Sequence, residues 1–252
     1  GGVATALLAA ALQSGMIDCA IVTGRDEEWR TQTLIATSPE EIRSAAGTKY
    51  TIHNSVMAVK DALEMGYKKI GFVGTPCQIQ GLRKVKLLDE PYQFGQDKIA
   101  LLVGLFCMEN FDYDALMNGL VKGKFGLEPK DVARFEIKKG MFRVIDKAGG
   151  AHEVKIEETD PYTFPGCGPC FDFASELADV SVGSVGSADG WSTVLTRTDM
   201  GEKLYGDALA AGLIAEKAVS EKGLALAKRL AAGKVERFLL KSEEMKVGGI
   251  IR

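Results

Sequence analysis

The sequence predicts an α/β fold: a mixed sheet with flanking helices, an antiparallel hairpin portion and two C-terminal helices. Helical patterns alternate with short β-branched runs through the first hundred residues, which is typical of a sheet covered by helices. From Phe135 onward, polar and apolar residues alternate on both sides of Lys138-Lys139-Gly140, which indicates a β-hairpin. The chain has no internal repeat and no low-complexity linker, so any domain boundary is soft.

The best marked element is a helix over 39–46. Ser38 is its N-cap, Pro39 stands at its first position, Glu41 completes a capping box and Gly47 follows its end. The other elements follow from apolar periodicity and composition. They are helices over 3–13, 55–65, 202–211 and 221–232, and strands over 17–23, 69–73, 99–106, 135–137, 141–145, 178–182 and 191–196.

Composition excludes two classes of function. The chain carries 31 Lys and Arg against 34 Asp and Glu, which leaves no basic footprint for nucleic acid. Its longest apolar runs, Val3 to Leu12 and Ile99 to Met108, reach only about half of a bilayer span, so we expect no direct membrane insertion.

Five cysteines without a visible signal peptide predict reduced thiols in the cytoplasm. Because Gly1-Gly2 leads at once into a helical stretch, we expect the natural N-terminus to lie upstream.

Four of the five cysteines stand out because most of them follow a predicted strand end or lie in a loop: Cys77, Cys107, Cys167 and Cys170. The CxxC spacing of the last two is also that of thioredoxin-like proteins, but no proline follows Pro169 to serve as their cis-proline. Four thiolates suit tetrahedral zinc or an iron-sulfur cluster, and the neighbouring glycines and prolines favour iron. Cys19 lies inside an apolar strand and is expected to be a buried core residue.

The segment from Ser181 to Trp191 is rich in glycine and serine and is a candidate ligand loop. Glycines let backbone amides approach a phosphate or a flat ring, although a tight connection between strands would have the same composition. The glycine spacing matches neither a Rossmann fingerprint nor a P-loop. Gly1-Gly2 would place free helix N-terminal amides at an anion such as a pyrophosphate.

The sequence contains no visible machinery for hydrolysis. It has no G-x-S-x-G elbow and no H-E-x-x-H motif, and His53 and His152 have no partner at catalytic or metal spacing, so we interpret both as structural. Redox chemistry carried by bound cofactors fits better, and no catalytic side chain is expected.

Several segments occur in the order found in one known family. They are Gly1-Gly2-Val3-Ala4-Thr5-Ala6-Leu7-Leu8, Ala45-Ala46-Gly47-Thr48-Lys49-Tyr50, Gly74-Thr75-Pro76-Cys77-Gln78, Phe106-Cys107-Met108-Glu109-Asn110-Phe111, Cys167-x-x-Cys170, and Glu176-Leu177-Ala178-Asp179 through Gly183-Ser184-Val185-Gly186-Ser187 to Asp189-Gly190-Trp191-Ser192-Thr193. Over most of its length the sequence resembles the beta-subunit family of coenzyme F420-reducing hydrogenase, which includes F420-oxidising dehydrogenase subunits.

The resemblance implies FAD and one 4Fe-4S cluster, with hydride exchange between the flavin and coenzyme F420. It assigns the cluster to Cys77, Cys107, Cys167 and Cys170. The residues that it implies for cofactor binding are Gly1, Gly2, Thr5, Thr48, Lys49, Tyr50, Thr75, Gln78, Gly183, Ser184, Gly186, Ser187 and Trp191. From its charge, we expect Lys49 to stabilise negative charge on the reduced ring.

On this basis we divide the chain into an N-terminal flavin-binding region over 1–75 and a cluster-binding, F420-interacting region over 76–252, within one compact unit. The expected partners are coenzyme F420 and the iron-sulfur, hydrogenase or dehydrogenase subunits of a larger complex, because the chain has no further ferredoxin-type cysteine runs. Two alternatives stay open. One is a flavin and iron-sulfur reductase of another organic substrate, of the chlorophyll-intermediate reductase type, and the other is a non-enzymatic, zinc-stabilised module.

Overall fold

The computed structural model describes residues 2–87 and 95–247 and contains two sheets. The strands, in chain order, are β1 (Cys19–Arg25), β2 (Thr31–Ala36), β3 (Ile70–Gly74), β4 (Ile99–Leu105), β5 (Val132–Lys138), β6 (Met141–Asp146), β7 (Ala151–Lys155), β8 (Val180–Gly183) and β9 (Thr193–Thr196). The larger sheet has the order β2-β1-β3-β4-β8-β9, and the smaller one has the order β5-β6-β7.

The four central strands of the larger sheet, β1, β3, β4 and β8, are mutually parallel, while β2 and β9 pair antiparallel at the two edges. Parallel neighbours have their carboxyl ends at the same edge of the sheet, where ligands usually bind in open α/β folds. The register pairs Gly74 at the end of β3 with Gly104 near the end of β4.

Helices cover both faces of this sheet. Those described are α1 (Val3–Gln13), α2 (Pro39–Ser44), α3 (Ala58–Glu64), α4 (Pro76–Lys86), a π-helix (Ala115–Lys124), α5 (Asp199–Ala210) and α6 (Glu221–Val247). Short 3-10 helices lie at Ser55–Met57, Gln96–Lys98, Pro129–Asp131, Ile156–Tyr162 and Pro165–Cys167.

The alternation of side chains along β4 divides the core into two layers. Leu101 and Val103 pack on one face in a buried cluster with residues of α1, α2 and α5. Leu102 points to the other face and packs with residues of α3 and α4. A third cluster joins the π-helix to the antiparallel sheet and includes the buried indole of Trp29, whose Nε1 donates to the Val132 carbonyl at 2.9 Å.

The predicted fold class is confirmed, and α1 has the predicted bounds. The remaining elements differ in places. The helix expected over 55–65 is a 3-10 turn followed by α3, the strand expected over 17–23 lies two residues later, and α6 continues 15 residues beyond its predicted end at 232. The prediction did not include β2, β7, α4 or the π-helix. Among the described residues, no helix has both the length and the apolar composition needed to cross a membrane.

Helix α5 packs its backbone tightly against the sheet at one glycine. A Cβ placed on Gly201 would lie 1.9 Å from the Asp179 carbonyl oxygen, whereas a Cβ on Gly206 in the same helix would meet no atom within 4 Å. We expect Gly201→Ala to lower the free energy of unfolding by about 2 kcal/mol, because the helix must move away from the strand.

The matched variant Gly206→Ala should raise the free energy of unfolding by up to about 1 kcal/mol through helix propensity. Urea denaturation followed by circular dichroism measures both changes. Equal effects of the two substitutions would contradict the close approach at Gly201.

Candidate functional site

Two of the predicted cysteines lie at the carboxyl edge of the parallel sheet. Cys77 and Cys107 each come three residues after the paired glycines Gly74 and Gly104, so adjacent strands deliver them side by side. Cys77 is exposed in the first turn of α4, where Pro76 starts the helix, and the Thr75 hydroxyl lies 3.3 Å from the Cys77 sulfur. The positive end of a helix dipole favours a thiolate at this position.

The loop that follows the antiparallel sheet brings the other two cysteines to the same place. The Cys107 amide donates to the Phe173 carbonyl at 2.9 Å, and the Asn110 amide donates to the Cys167 sulfur at 3.3 Å. A tight turn joins Cys170 to Cys167 through a 3.2 Å backbone hydrogen bond. Three separate segments therefore converge on one centre.

The four sulfur atoms are close enough to influence one another electrostatically. The pKa of the Cys107 thiol is raised to about 12, mainly by burial; the ammonium of Lys234 lowers it and the other three cysteines raise it. Burial likewise raises the pKa of Cys167, against a backbone hydrogen bond from Asn110. Without a positively charged group between them, four thiolates at this centre would repel one another.

The four sulfurs do not form a compact site for a single metal ion in the described part of the chain. Zinc bonded to sulfur at about 2.3 Å draws four thiolates to within about 4 Å of one another. Throughout residues 2–87 and 95–247, no three side chains of His, Cys, Asp or Glu form a group that could hold a single metal ion. An iron-sulfur cluster places its own iron and sulfide ions between the thiolates, so the cysteine sulfurs can lie farther apart than in a zinc site.

The buried carboxylate of Asp179 ties the cysteine edge together. It accepts hydrogen bonds from the Arg83 guanidinium at 2.8 Å, from the Leu102 amide at 2.8 Å and from the Thr198 hydroxyl at 3.0 Å. These three donors belong to α4, to β4 and to the N-cap of α5. The helix that carries Cys77 is thereby fixed to the strand that leads to Cys107.

A cavity of about 490 Å³ opens at the N-terminus of α1. Gly2 caps that helix with a positive φ of 105° and offers no side-chain cap, so the first amides of α1 keep free N–H groups. The indole of Trp191 forms part of the wall, with the Lys217 ammonium 5.7 Å from the ring centre. The other lining residues are Val3, Ala6, Gly190, Ser192, Val194, Tyr205, Leu213, Ile214, Ala215, Glu216 and Val219.

A smaller cavity of about 100 Å³ shares Trp191 and Lys217 with the larger one and includes Gly186 and Ser187. Four predicted cofactor residues, Gly2, Gly186, Ser187 and Trp191, are thus brought together at these two cavities. Gly1 lies outside the described residues.

The glycine-rich segment also connects antiparallel β8 and β9, with residues 184–192 between the two strands. A Cβ on Gly183 would lie 2.1 Å from the Phe106 ring, and Gly186, at φ 92°, faces the Gly223 carbonyl of α6. Close packing is therefore sufficient to explain why both positions are glycine. Neither Gly183 nor Ser184 is among the residues lining the two cavities.

The predicted segment Thr48-Lys49-Tyr50 lies elsewhere and lines neither cavity. The Lys49 ammonium donates to the carbonyls of Ala45 and Ala46 at the end of α2, and burial lowers its pKa to about 8. Tyr50 packs in the third core cluster, its ring 5.7 Å from that of Phe142, and burial raises its pKa to about 12.

The remaining predicted cofactor residues, Thr5, Thr75 and Gln78, also lie outside both cavities. Gln78 is held by structural contacts, since its side chain accepts from the Thr75 amide at 3.0 Å and donates to the His53 carbonyl at 2.7 Å. Sequence reasoning missed Lys217 and Lys234, because a lysine in a polar linker or a charged helix carries no signal that distinguishes it from a solvated one.

Comparison with known proteins gives consistent matches over nearly the whole chain. Residues 1–60 match the N-terminal model, and residues 67–222 the C-terminal model, of the coenzyme F420 hydrogenase/dehydrogenase beta subunit. The chain is 42% identical to the coenzyme F420 hydrogenase subunit beta of Methanothermobacter thermautotrophicus, over 94% of this chain and 85% of that one.

The corresponding subunit of Methanosarcina barkeri is 40% identical, over 99% of this chain and 87% of the relative. Among solved structures, a chain of the F420-reducing [NiFe] hydrogenase complex from Methanosarcina barkeri superposes with a TM-score of 0.94 at 39% identity. That match covers 99% of this chain and 87% of the other.

Removal of the Asp179 charge should destabilise the protein. We expect Asp179→Asn to lower the free energy of unfolding by about 3 kcal/mol, because it leaves the mostly buried Arg83 without its counter-ion. Asp207→Asn, which breaks an exposed pair with Lys203, is the control and should leave stability close to wild type. Chemical denaturation measures both, and similar effects at the two positions would contradict the role of Asp179.

In the reduced, metal-free protein, iodoacetamide should label the exposed Cys77 far faster than Cys107. With a pKa of about 12, on the order of one Cys107 side chain in ten thousand is a thiolate at pH 8, and that fraction grows tenfold per pH unit. Mass spectrometry of timed samples between pH 7 and about 10 measures this. Cys19, whose burial also raises its pKa to about 12, is an internal control, and equal rates at Cys77 and Cys107 would contradict the assignment.

Proposed function

The chain belongs to the coenzyme F420 hydrogenase/dehydrogenase beta-subunit family, and from that membership we propose that it is an F420-dependent oxidoreductase subunit. It exchanges hydride between coenzyme F420 and FAD and passes single electrons to or from a 4Fe-4S cluster. The observation that carries this proposal is the convergence of four cysteines from three separate segments at the carboxyl edge of a parallel sheet.

The donor set fits an iron-sulfur cluster. Cys77, Cys107, Cys167 and Cys170 would hold it, and it would supply one-electron transfer at this edge. The Asn110 amide, which donates to the Cys167 sulfur, is of the kind that stabilises sulfur-bound negative charge. Cys107 is mostly buried while Cys77 is exposed, so one side of the centre faces the surface.

The larger cavity fits part of a flavin. Its volume lies within the range of about 300–1,000 Å³ common for cofactor pockets, and one wall is an indole that a flat ring can stack against. The free amides of α1 behind Gly2 suit an anionic group such as a diphosphate, and the nearby Lys217 adds positive charge. A flavin would supply the exchange between hydride and single electrons.

The residues around the cavity perform binding and positioning, and no general acid is needed. Trp191 and the adjoining apolar side chains would orient a flavin ring and exclude water from it, while Ser187 is fixed by a 2.7 Å hydrogen bond to the Thr193 hydroxyl. For Thr48, Lys49 and Tyr50, a role in flavin binding requires a contact outside the two cavities.

A larger complex is the expected setting. A solved neighbour is a chain of an F420-reducing [NiFe] hydrogenase complex, and this chain offers exposed apolar side chains on the cysteine side of α6. Phe171, next to Cys170, is 45% exposed, and its ring lies 5.3 Å from that of Phe238. An electron-accepting subunit that covers this region would shorten the path from the centre.

An anaerobic visible spectrum of the purified chain, with iron, zinc and flavin counts, tests the proposal when reduced F420 is then added. We expect about four irons and one flavin per chain, and bleaching of the flavin bands. Iron and flavin without bleaching would favour another organic substrate, of the chlorophyll-intermediate reductase type. Zinc without flavin would overturn the proposal in favour of a non-enzymatic module.

Variants locate the cluster. Cys77→Ser, at an exposed position, should reduce the iron count sharply while the flavin content stays unchanged. Cys19→Ala, a small apolar exchange within β1, is the matched control and should retain iron. Loss of iron only in the Cys19 variant would contradict the assignment of the four cysteines.

A further inference from the structure

A lysine ammonium is buried beside the four cysteines without a carboxylate to neutralise it. Lys234 of α6 is 1% exposed, and its Nζ donates to the carbonyl oxygens of Cys107 at 2.6 Å and Asp172 at 2.9 Å. In the part of the chain that the structure describes, it forms no ion pair. The Asp172 carboxylate, which is also buried, forms no ion pair with Lys234 and accepts from Gln80 and from the Glu176 amide.

A second cation on the same helix shows the contrast. Arg237, three residues later, pairs with the Glu109 carboxylate at 2.9 Å and also donates to the Met108 carbonyl. The charge of Arg237 is therefore compensated by the protein, whereas that of Lys234 is not. A buried charge with only neutral hydrogen-bond partners is expensive, so a stable structure needs a counter-charge nearby.

Besides the buried Asp172 carboxylate, the cysteine centre is a source of negative charge near the ammonium, which binds the Cys107 carbonyl. The Lys234 charge favours the thiolate forms of Cys107 and Cys167, opposing the effect of burial on both. Four thiolates around an iron-sulfur cluster carry a net negative charge, and one-electron reduction adds to it. The same ammonium must then interact more strongly with the reduced form than with the oxidised form.

We propose that Lys234 is the counter-charge of the cysteine centre. Its ammonium raises the midpoint potential of the cluster bound there, and binding of the cluster in turn stabilises the packing of α6 against the rest of the protein. This inference rests on the proposed iron-sulfur cluster. It makes Lys234 a positioning residue that acts through its charge.

Helix α6 is long enough to connect the cysteine centre with the region of the smaller cavity. Most of the helix is exposed, and its contacts with the body are few. Near its start, Gly223 touches the Gly186 loop beside the smaller cavity, and Lys234 lies 11 residues later, about 16 Å along the helix. If the counter-charge at the cysteine end is lost, the buried ammonium keeps only neutral hydrogen-bond partners, and one of the polar contacts that hold the helix is weakened.

The test is a redox titration of the holoprotein, followed by electron paramagnetic resonance, on wild type and four variants. Lys234→Met removes charge and donors, Lys234→Gln keeps N–H donors without charge, and Lys234→Arg keeps the charge. Lys228→Met, at an exposed position on the same helix, is the matched control. We expect the Met and Gln variants to shift the midpoint potential to more negative values, and the Arg and Lys228 variants to stay near wild type.

Hydrogen exchange of α6 is the second measurement. Wild-type protein with its iron removed by a chelator should exchange faster over 224–243 than the iron-loaded protein, and Lys234→Met should exchange fast in both states. Unchanged potentials in both uncharged variants, at wild-type iron content, would overturn the inference while the proposed cluster stands. A wild-type chain that shows no iron-sulfur signal would overturn the cluster proposal and this inference with it.

Discussion

The buried carboxylate of Asp179 is the interaction on which the cysteine edge depends. It lies directly before β8 and binds donors on α4, β4 and the N-cap of α5, so one side chain fixes three elements relative to one another. The backbone of the same residue excludes any side chain at Gly201 of α5. The helix that carries Cys77 and the strand that leads to Cys107 are therefore held together by one shared anchor.

Periodicity and composition predicted five of the six strands of the larger sheet and missed the edge strand β2, and they placed two cysteines just after predicted strands. The rule that parallel strands end at one edge then places Cys77 beside Cys107 without any knowledge of side chains. Helix α4 was not predicted, although Thr75, Pro76 and Gln78 carry the same helix-start signal as the residues before α2; its mostly polar sequence gives little apolar periodicity. The length of α6 was underestimated because a helix with few buried residues has little apolar periodicity to detect.

The cofactor predictions show a different limit. A glycine in a ligand loop and a glycine in a close backbone contact are identical in sequence, and Gly186 lies beside a cavity while also touching Gly223. Lys49 has the charge expected of a cofactor contact, yet its ammonium caps the end of α2. Conversely, Lys234 is fully buried, unlike the other described lysines. Its burial results from packing between segments that are far apart in the sequence, which no local sequence pattern indicates.

The three segments that carry the four cysteines are far apart in the sequence, so the thiols become neighbours only when the chain folds. Residues 77 and 107 become neighbours when two parallel strands pair, and the whole antiparallel sheet lies in the sequence between them and residues 167 and 170. During synthesis the thiols emerge one after another, each isolated and open to oxidation until the others arrive. Lys234 follows all four cysteines in the sequence, so the electrostatic environment of their sulfurs is complete only after α6 has been synthesised.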